Sequence, residues 1–211
     1  MPTPSRLLIT GFGPFPRVPV NPSAALAERL AASRRLALAL GGRPDLLVLR
    51  TAYASVEGAL APALAAGPGA VLMLGVAGRA RSVRVEARAL NRGSRLFPDA
   101  SGRLPAGLAL DPEGPLLRRA GALARKAATL LRRHGLRVRL SRDAGRYLCN
   151  AAYYRALAEP VPVLFLHIPL PPRAGARAAQ DRLAAAFAEV ARLLTVEARR
   201  GAAEARGPVR G

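Results

Sequence analysis

Short apolar runs and longer amphipathic stretches alternate along this chain. The runs RLLIT (6–10), DLLVLR (45–50), AVLMLG (70–75), LRVRLS (136–141) and VPVLFLHIP (161–169) are bounded by Gly, Pro or Asp, which predicts buried strands. Between them, residues 22–40, 54–66, 113–134, 149–158 and 175–200 carry their apolar side chains at helical spacing. In NPSAALAERL, Asn21 can cap a helix and Pro22 suits the first helical position. VRVEARAL (83–90) alternates and predicts a further strand, exposed on one side. Strands that alternate with helices build βαβ units, so the expected fold is a three-layer α/β/α sandwich on a mostly parallel sheet. Residues 91–115 are turn-rich and without strong periodicity, an unusual length for a mere connector. They are a candidate lid, hairpin or subunit contact. Beyond residue 200 the apolar face is lost. One domain over 1–200 and a flexible tail over 201–211 are therefore expected.

Composition narrows the function. The 211 residues suffice for one well-covered α/β core and fall short of two. With 51% hydrophobic but only 4% aromatic residues, that core must be filled by Leu, Val and Ala. A formal charge of +20 invites a nucleic-acid reading, since clustered arginines neutralise phosphates. Here, however, the arginines scatter through helices, strands and tail. Pairs such as 34–35, 132–133 and 199–200 have no aromatics interleaved for base stacking. A solvated basic surface is the plainer reading, and no specific nucleic-acid partner is expected.

No run approaches the roughly 20 apolar residues of a membrane span. The opening MPTPSRLLITGFG lacks a signal peptide's long apolar core, and a lone cysteine cannot close an intramolecular disulfide. A cytoplasmic location without membrane attachment follows as the expectation. One cysteine and two histidines cannot form a thiolate-rich zinc site, and GVAG lacks the pattern of a nucleotide loop, so neither metal nor cofactor is expected.

The one cysteine, Cys149 in GRYLCN, follows a predicted strand and the turn signal RDAG and opens a helical run. In a helix's first turn, unpaired N–H groups and the positive end of the dipole favour thiolate over thiol. His167, in LHIPLPP, falls at the carboxyl end of a strand, the edge where open α/β sheets form ligand crevices. A carboxylate or amide orienting the imidazole would complete a cysteine hydrolase. Glu86, which interrupts SVRVEARALN, is the notable carboxylate. Each signal alone fits an inert core residue. Together they point to catalysis. His134, in LRRHGL at a helix end, suits a cap-like or solvated role.

Five segments in order, LLITGFGPFPRVPVNPS, LRTAYASVEGAL, LGVAGRARSVRVEARALN, SRDAGRYLCNAAYY and FLHIPLPP, resemble the pyroglutamyl peptidase I (pyrrolidone-carboxylate peptidase) family of cysteine peptidases. The resemblance spans nearly the whole chain. It implies an omega-peptidase that removes N-terminal pyroglutamate from peptides. Cys149 would be nucleophile, His167 general base and then acid, and Glu86 the group that orients His167. Phe12 and Phe15 match aromatic walls for the lactam ring, Tyr147 and Leu148 complete an apolar pocket, and Asn21 supports the pocket loop. Arg95, matched with a one-residue difference in spacing, would assist the Cys149 N–H in binding the oxyanion.

Better-known members carry proline just before that glutamate, where this chain has Val85, and many microbial members form tetramers. A homo-oligomer, dimer or tetramer, is therefore also implied. The arginine-rich run RARSVRV beside Glu86 could favour acidic peptide chains beyond the scissile bond. Two alternatives stay open: a cysteine amidase acting on another cyclic or N-blocked acyl group, and a basic, non-catalytic nucleic-acid-binding protein of the same fold.

Overall fold

The computed structural model describes residues 6–15, 19–172 and 175–205. Its centre is a six-stranded sheet formed by β1 (Leu7–Phe12), β2 (Asp45–Leu49), β3 (Ala70–Val76), β4 (Val83–Glu86), β7 (Val138–Ser141) and β8 (Val163–Ile168), in the order β2-β1-β3-β8-β4-β7. Four of the five pairings are parallel, and β4 meets β8 antiparallel. The mostly parallel α/β/α sandwich expected from the alternation is what forms.

Helices α1 (Pro22–Ala31), α2 (Arg34–Leu40), α4 (Ala122–Arg133) and α6 (Ala176–Ala205) cover one face of the sheet. They bury an almost wholly aliphatic layer with Phe187 its single aromatic ring. On the other face lie α3 (Ala61–Ala65), the π-helical turn Val56–Leu60 before it, and α5 (Leu148–Ala156). Because strand side chains alternate between faces, β1 sends Leu7 and Ile9 to the first layer and Leu8 and Phe12 to the second.

Local chemistry explains where elements break. The predicted helix over 22–40 divides at Ser33, whose Oγ accepts the Leu36 N–H at 3.2 Å and caps α2. Over 54–66 the helix widens into a π turn just before Pro62, which has no N–H to continue the regular ladder.

The helix expected over 113–134 begins only at Ala122. Residues 117–119 instead form β6 (Leu117–Arg119), antiparallel to β5 (Arg88–Leu90). Leu116, which helical spacing would have buried, is 87% exposed. The single strand expected over 83–90 is likewise two, separated at Ala87. Its β4 half is more covered than expected, because it lies between β8 and β7 with α4 against it, and of its four residues only Arg84 is not fully buried.

The segment 91–115 contains no strand or helix and is ordered by two polar side chains. Asn91 Oδ1 accepts Leu110 N (2.8 Å) and Asp111 N (2.9 Å), while its Nδ2 donates to the carbonyls of Asp111 and Gly114. Asp99, 3% exposed, accepts from the N–H groups of Tyr53, Ser101 and Arg103. At the C-terminus, α6 continues through the exposed residues 201–205, where a frayed tail was expected. Residues 206–211 of that tail lie outside the described residues. No helix among the described residues is long and apolar enough to cross a membrane.

Candidate active site

The site forms at the carboxyl edge of β8, where α5 starts on the same face of the sheet. Gly145, at φ 84°, takes the left-handed turn that glycine tolerates and side-chain-bearing residues resist. Asp143 Oδ1 accepts the Gly145 N–H at 3.0 Å and fixes that turn. The chain then enters α5 at Leu148, placing Cys149 in its first turn, half-buried. A thiol in a helix's first turn lies near the unpaired N–H groups and positive dipole end.

Three further contacts hold α5 against the sheet. Fully buried Asn150 accepts Leu90 N (2.9 Å) and donates to the carbonyls of Leu90 (2.8 Å) and Arg92 (3.0 Å), mimicking a strand edge for β5. Tyr153 Oη donates to the Glu86 carbonyl at 2.8 Å. Burial first, and then the Glu86 charge, push the Tyr153 phenol well above its ordinary pKa, so it remains a neutral donor. Tyr154 Oη donates to the Pro115 carbonyl at 2.7 Å, and the Arg118 guanidinium lies 4.1 Å above its ring.

His167 and Glu86 sit on adjacent strands. His167 Nδ1 is 2.9 Å from Glu86 Oε1, with the residues 6% and 0% exposed. The register explains the meeting. Arg84 is opposite His167 and Glu86 opposite Phe165, so all four side chains project from the same face as α5. With Nδ1 held by Glu86, Nε2 is the ring atom left for Cys149.

Burial alone would lower the His167 pKa. The charge of Cys149 and a side-chain hydrogen bond to it, followed by the hydrogen bond and charge of Glu86, outweigh burial and raise it to about 9. The site therefore favours the protonated imidazole at His167.

These groups open onto a cavity of about 290 Å³ lined by Phe12, Phe15, Asn21, Thr51, Tyr147, Leu148, Cys149 and His167, among others. Every residue expected at the substrate pocket is there except Arg95. That side chain is exposed and does not line the cavity, so the structure supplies no Arg95 donor for an oxyanion. The 91–115 segment reaches this side of the molecule through Pro98 instead, whose carbonyl accepts the Tyr147 hydroxyl at 3.0 Å.

Asn21 is both cap and brace. Its Oδ1 accepts Ser23 N (3.0 Å) and Ser23 Oγ (2.8 Å), and its Nδ2 donates to the Gly13 carbonyl (2.9 Å) that also accepts from Thr51 Oγ1 (3.0 Å). These bonds fix the chain between Phe12 and Phe15. His134 is exposed at the C-cap of α4, away from the chemistry.

Two further residues shape the site: Gly75, which the sequence reading passed over, and Arg84, which it met only as part of the run RARSVRV. A Cβ on Gly75 would lie 2.7 Å from Phe165 Cζ and 3.1 Å from Cys149 Sγ, so this position must be bare for the nucleophile to sit where it does. Arg84 lines the cavity beside His167. Its spacing of two from Glu86 in an alternating run was the available signal. Among the described residues, no cluster of three or more His, Cys, Asp or Glu side chains could hold a metal.

A thiol at a helix start, beside a paired imidazole and carboxylate on a mostly parallel sheet, has the layout of a cysteine hydrolase of the α/β class. A sequence profile of the Pyroglutamyl peptidase family matches residues 5–196, and the chain belongs to that family. It is 33% identical over 186 residues to a pyrrolidone-carboxylate peptidase of Gloeobacter violaceus, covering 82% of this chain and 85% of the relative. It is 31% identical over 174 residues to pyrrolidone-carboxylate peptidase 1 of Caldanaerobacter subterraneus subsp. tengcongensis, covering 79% and 83%. Among solved structures, pyrrolidone carboxyl peptidase from Thermus thermophilus superposes with a TM-score of 0.74 at 32% identity, over 90% of this chain and 99% of that one. Pyroglutamyl peptidase I of Bacillus amyloliquefaciens gives a TM-score of 0.78 over 92% and 98%. At 23% identity, that likeness speaks for the fold.

Proposed function

We propose that this enzyme removes pyroglutamate from the N-terminus of peptides by acyl transfer through Cys149. The observation that carries the reading is the buried 2.9 Å His167–Glu86 contact behind a thiol that shares a small, largely apolar cavity. A pyroglutamyl end is a cyclised amide without an ammonium group. Aromatic walls and a few polar partners suit it, whereas an ordinary charged N-terminus would be left unpaired among Phe12, Phe15 and Leu148.

In the first half-reaction the Cys149 thiolate attacks the pyroglutamyl carbonyl and forms a C–S bond. The resulting oxyanion is met by the Cys149 N–H in the unpaired first turn of α5. The His167 imidazolium gives its proton to the peptide nitrogen as the C–N bond breaks, and the shortened peptide leaves with a free amine. In the second half-reaction water attacks the thioester while neutral His167 takes its proton. The C–S bond then breaks and thiolate and imidazolium are restored. Glu86 keeps Nδ1 occupied, orients the ring and balances its charge.

A single, unpaired thiol nucleophile suits a reducing cytoplasm, where we place the enzyme. The test is hydrolysis of a pyroglutamyl-coupled fluorogenic amide under reducing conditions, with Cys149→Ala as control. Turnover by the wild type alone is expected, and absence of wild-type turnover would reject the reading. A panel of other N-blocked amides separates it from a cysteine amidase with a different acyl preference.

A further inference from the structure

We infer that Arg84 sets a preference for substrates carrying a carboxylate on the residue after pyroglutamate. This inference rests on the proposed function of the same site. The cavity draws its lining from both sides of His167: Phe12, Phe15, Asn21 and Thr51 come from the ends of β1 and β2 and the residues that follow them, Arg84 from β4, and Asp143 and Gly145 from the turn after β7. In the sheet order β1 and β4 lie on opposite sides of β8, which carries His167. A substrate with its lactam against the two phenylalanines and its carbonyl at Cys149 therefore directs its leaving group toward β4, where Arg84 projects.

The charge balance on the β4 side favours an anion. Arg84 is half-buried, stands directly opposite His167 and forms no ion pair among the described residues. Two cations facing each other across adjacent strands repel, and as the C–S bond forms the negative charge moves from the sulfur to the oxyanion before His167 gives up its proton. A carboxylate on the leaving group would relieve that repulsion while the first bond is being made and broken.

Asp143, the acidic residue on the same side, is exposed and its Oδ1 is engaged by the Gly145 N–H. It is outnumbered by four exposed neighbours in the chain: Arg79 and Arg81 before Arg84, and Arg142 and Arg146 on either side of the 143–145 turn. These four do not line the cavity themselves, and in the chain around its Arg84 and Asp143 positive charge outweighs negative. A planar guanidinium also binds a carboxylate through two parallel hydrogen bonds, which a lysine cannot do.

Either the α-carboxylate of a pyroglutamyl dipeptide or an acidic side chain at that position can supply the anion. The experiment compares kcat/KM for pyroglutamyl-alanine, pyroglutamyl-alanine amide, pyroglutamyl-aspartyl amide and pyroglutamyl-lysyl amide. The expected wild-type preference for at least one carboxylate-bearing substrate over the neutral amide is about tenfold, expressed mainly in KM. The first and third substrates distinguish the two carboxylate sources. In Arg84→Gln the anionic-to-neutral ratio should fall to about one, Arg84→Lys should recover part of it, and Arg84→Glu should turn the preference toward the lysyl substrate. A wild type without the preference overturns the inference, as does a ratio unchanged in Arg84→Gln. An equal loss on all four substrates would give Arg84 a general role and overturn it too. If the wild type cleaves none of the four, the proposed function itself fails, and this inference with it.

Discussion

The two faces of the central sheet bury different kinds of side chain and do different work with them. Against α1, α2, α4 and α6 the sheet packs Leu, Ile, Val and Ala, with Phe187 the single aromatic ring. Against α3 and α5 it packs Phe12, Tyr153, Tyr154 and Phe165, and between them stand Glu86, His167, Cys149 and Asn150. An aliphatic layer is tolerant: its energy scales with buried area and it asks for no hydrogen-bond geometry. The aromatic and polar layer is exacting, because each buried polar group there needs a partner at a set distance. The sheet thus separates a face that supplies stability from a face that stores chemistry. A strand such as β8 serves both at once, sending Leu164, Leu166 and Ile168 one way and Phe165 and His167 the other.

This contrast can be broken by substitutions on either side. The largest effect should come from Cys149→Ala, which removes the nucleophile and lowers kcat by at least about 10⁴-fold with the fold retained, as steady-state assays and circular dichroism would report. Glu86→Gln preserves shape but not charge, so kcat should fall by about 10²- to 10⁴-fold with KM less affected. Equal losses in both constants would show that the carboxylate serves binding instead. Gly75→Ala pushes a methyl against Phe165 and Cys149, and displacing the sulfur by a fraction of its radius should cost about 10²-fold in kcat. On the opposite face, Leu164→Ala should reduce unfolding free energy by about 2–5 kcal/mol in denaturant titrations. Its kcat per folded molecule should match the wild type. A kcat loss in that variant comparable to Gly75→Ala would mean that the two faces are not separable.

A smaller effect sharpens the electrostatics. His167 is raised from 6.5 to about 9, so its protonation stabilises the folded state fully below pH 6.5, and that contribution is lost as the pH rises through about 9. The Cys149 charge and hydrogen bond come first among the raising causes, against the lowering effect of burial. In Cys149→Ala the imidazole should therefore titrate lower, by NMR of its ring protons, and the alkaline loss of stability should begin at lower pH. An unchanged titration would show that Glu86 alone holds the proton on the ring.

Much of the site was legible because its residue types are rare and their spacing is regular. A lone cysteine after a strand–turn signal, a histidine at a strand's end and a carboxylate interrupting an alternating run each carry their own local physics. What stayed hidden depends on pairing between distant strands. Nothing local tells β4 to run antiparallel to β8, yet that register brings Glu86 and Arg84 to His167. The same holds for Ala87, where one alternating run divides between two sheets, and for Leu116, whose helical spacing conceals the approach to β6. Arg95 shows the converse. Its match rested on order along the chain within a turn-rich segment, and no residue of 91–115 lines the cavity.

The central claim is that the sulfur of Cys149 carries the acyl group between the two half-reactions. Rapid acid quenching of wild-type enzyme with excess pyroglutamyl ester, followed by intact-mass and peptide-level mass spectrometry, reads this directly. The account predicts one pyroglutamyl adduct per chain, on the peptide containing Cys149, absent from Cys149→Ala and released on a timescale matching kcat. An adduct on another residue, or full turnover by Cys149→Ala, would contradict it.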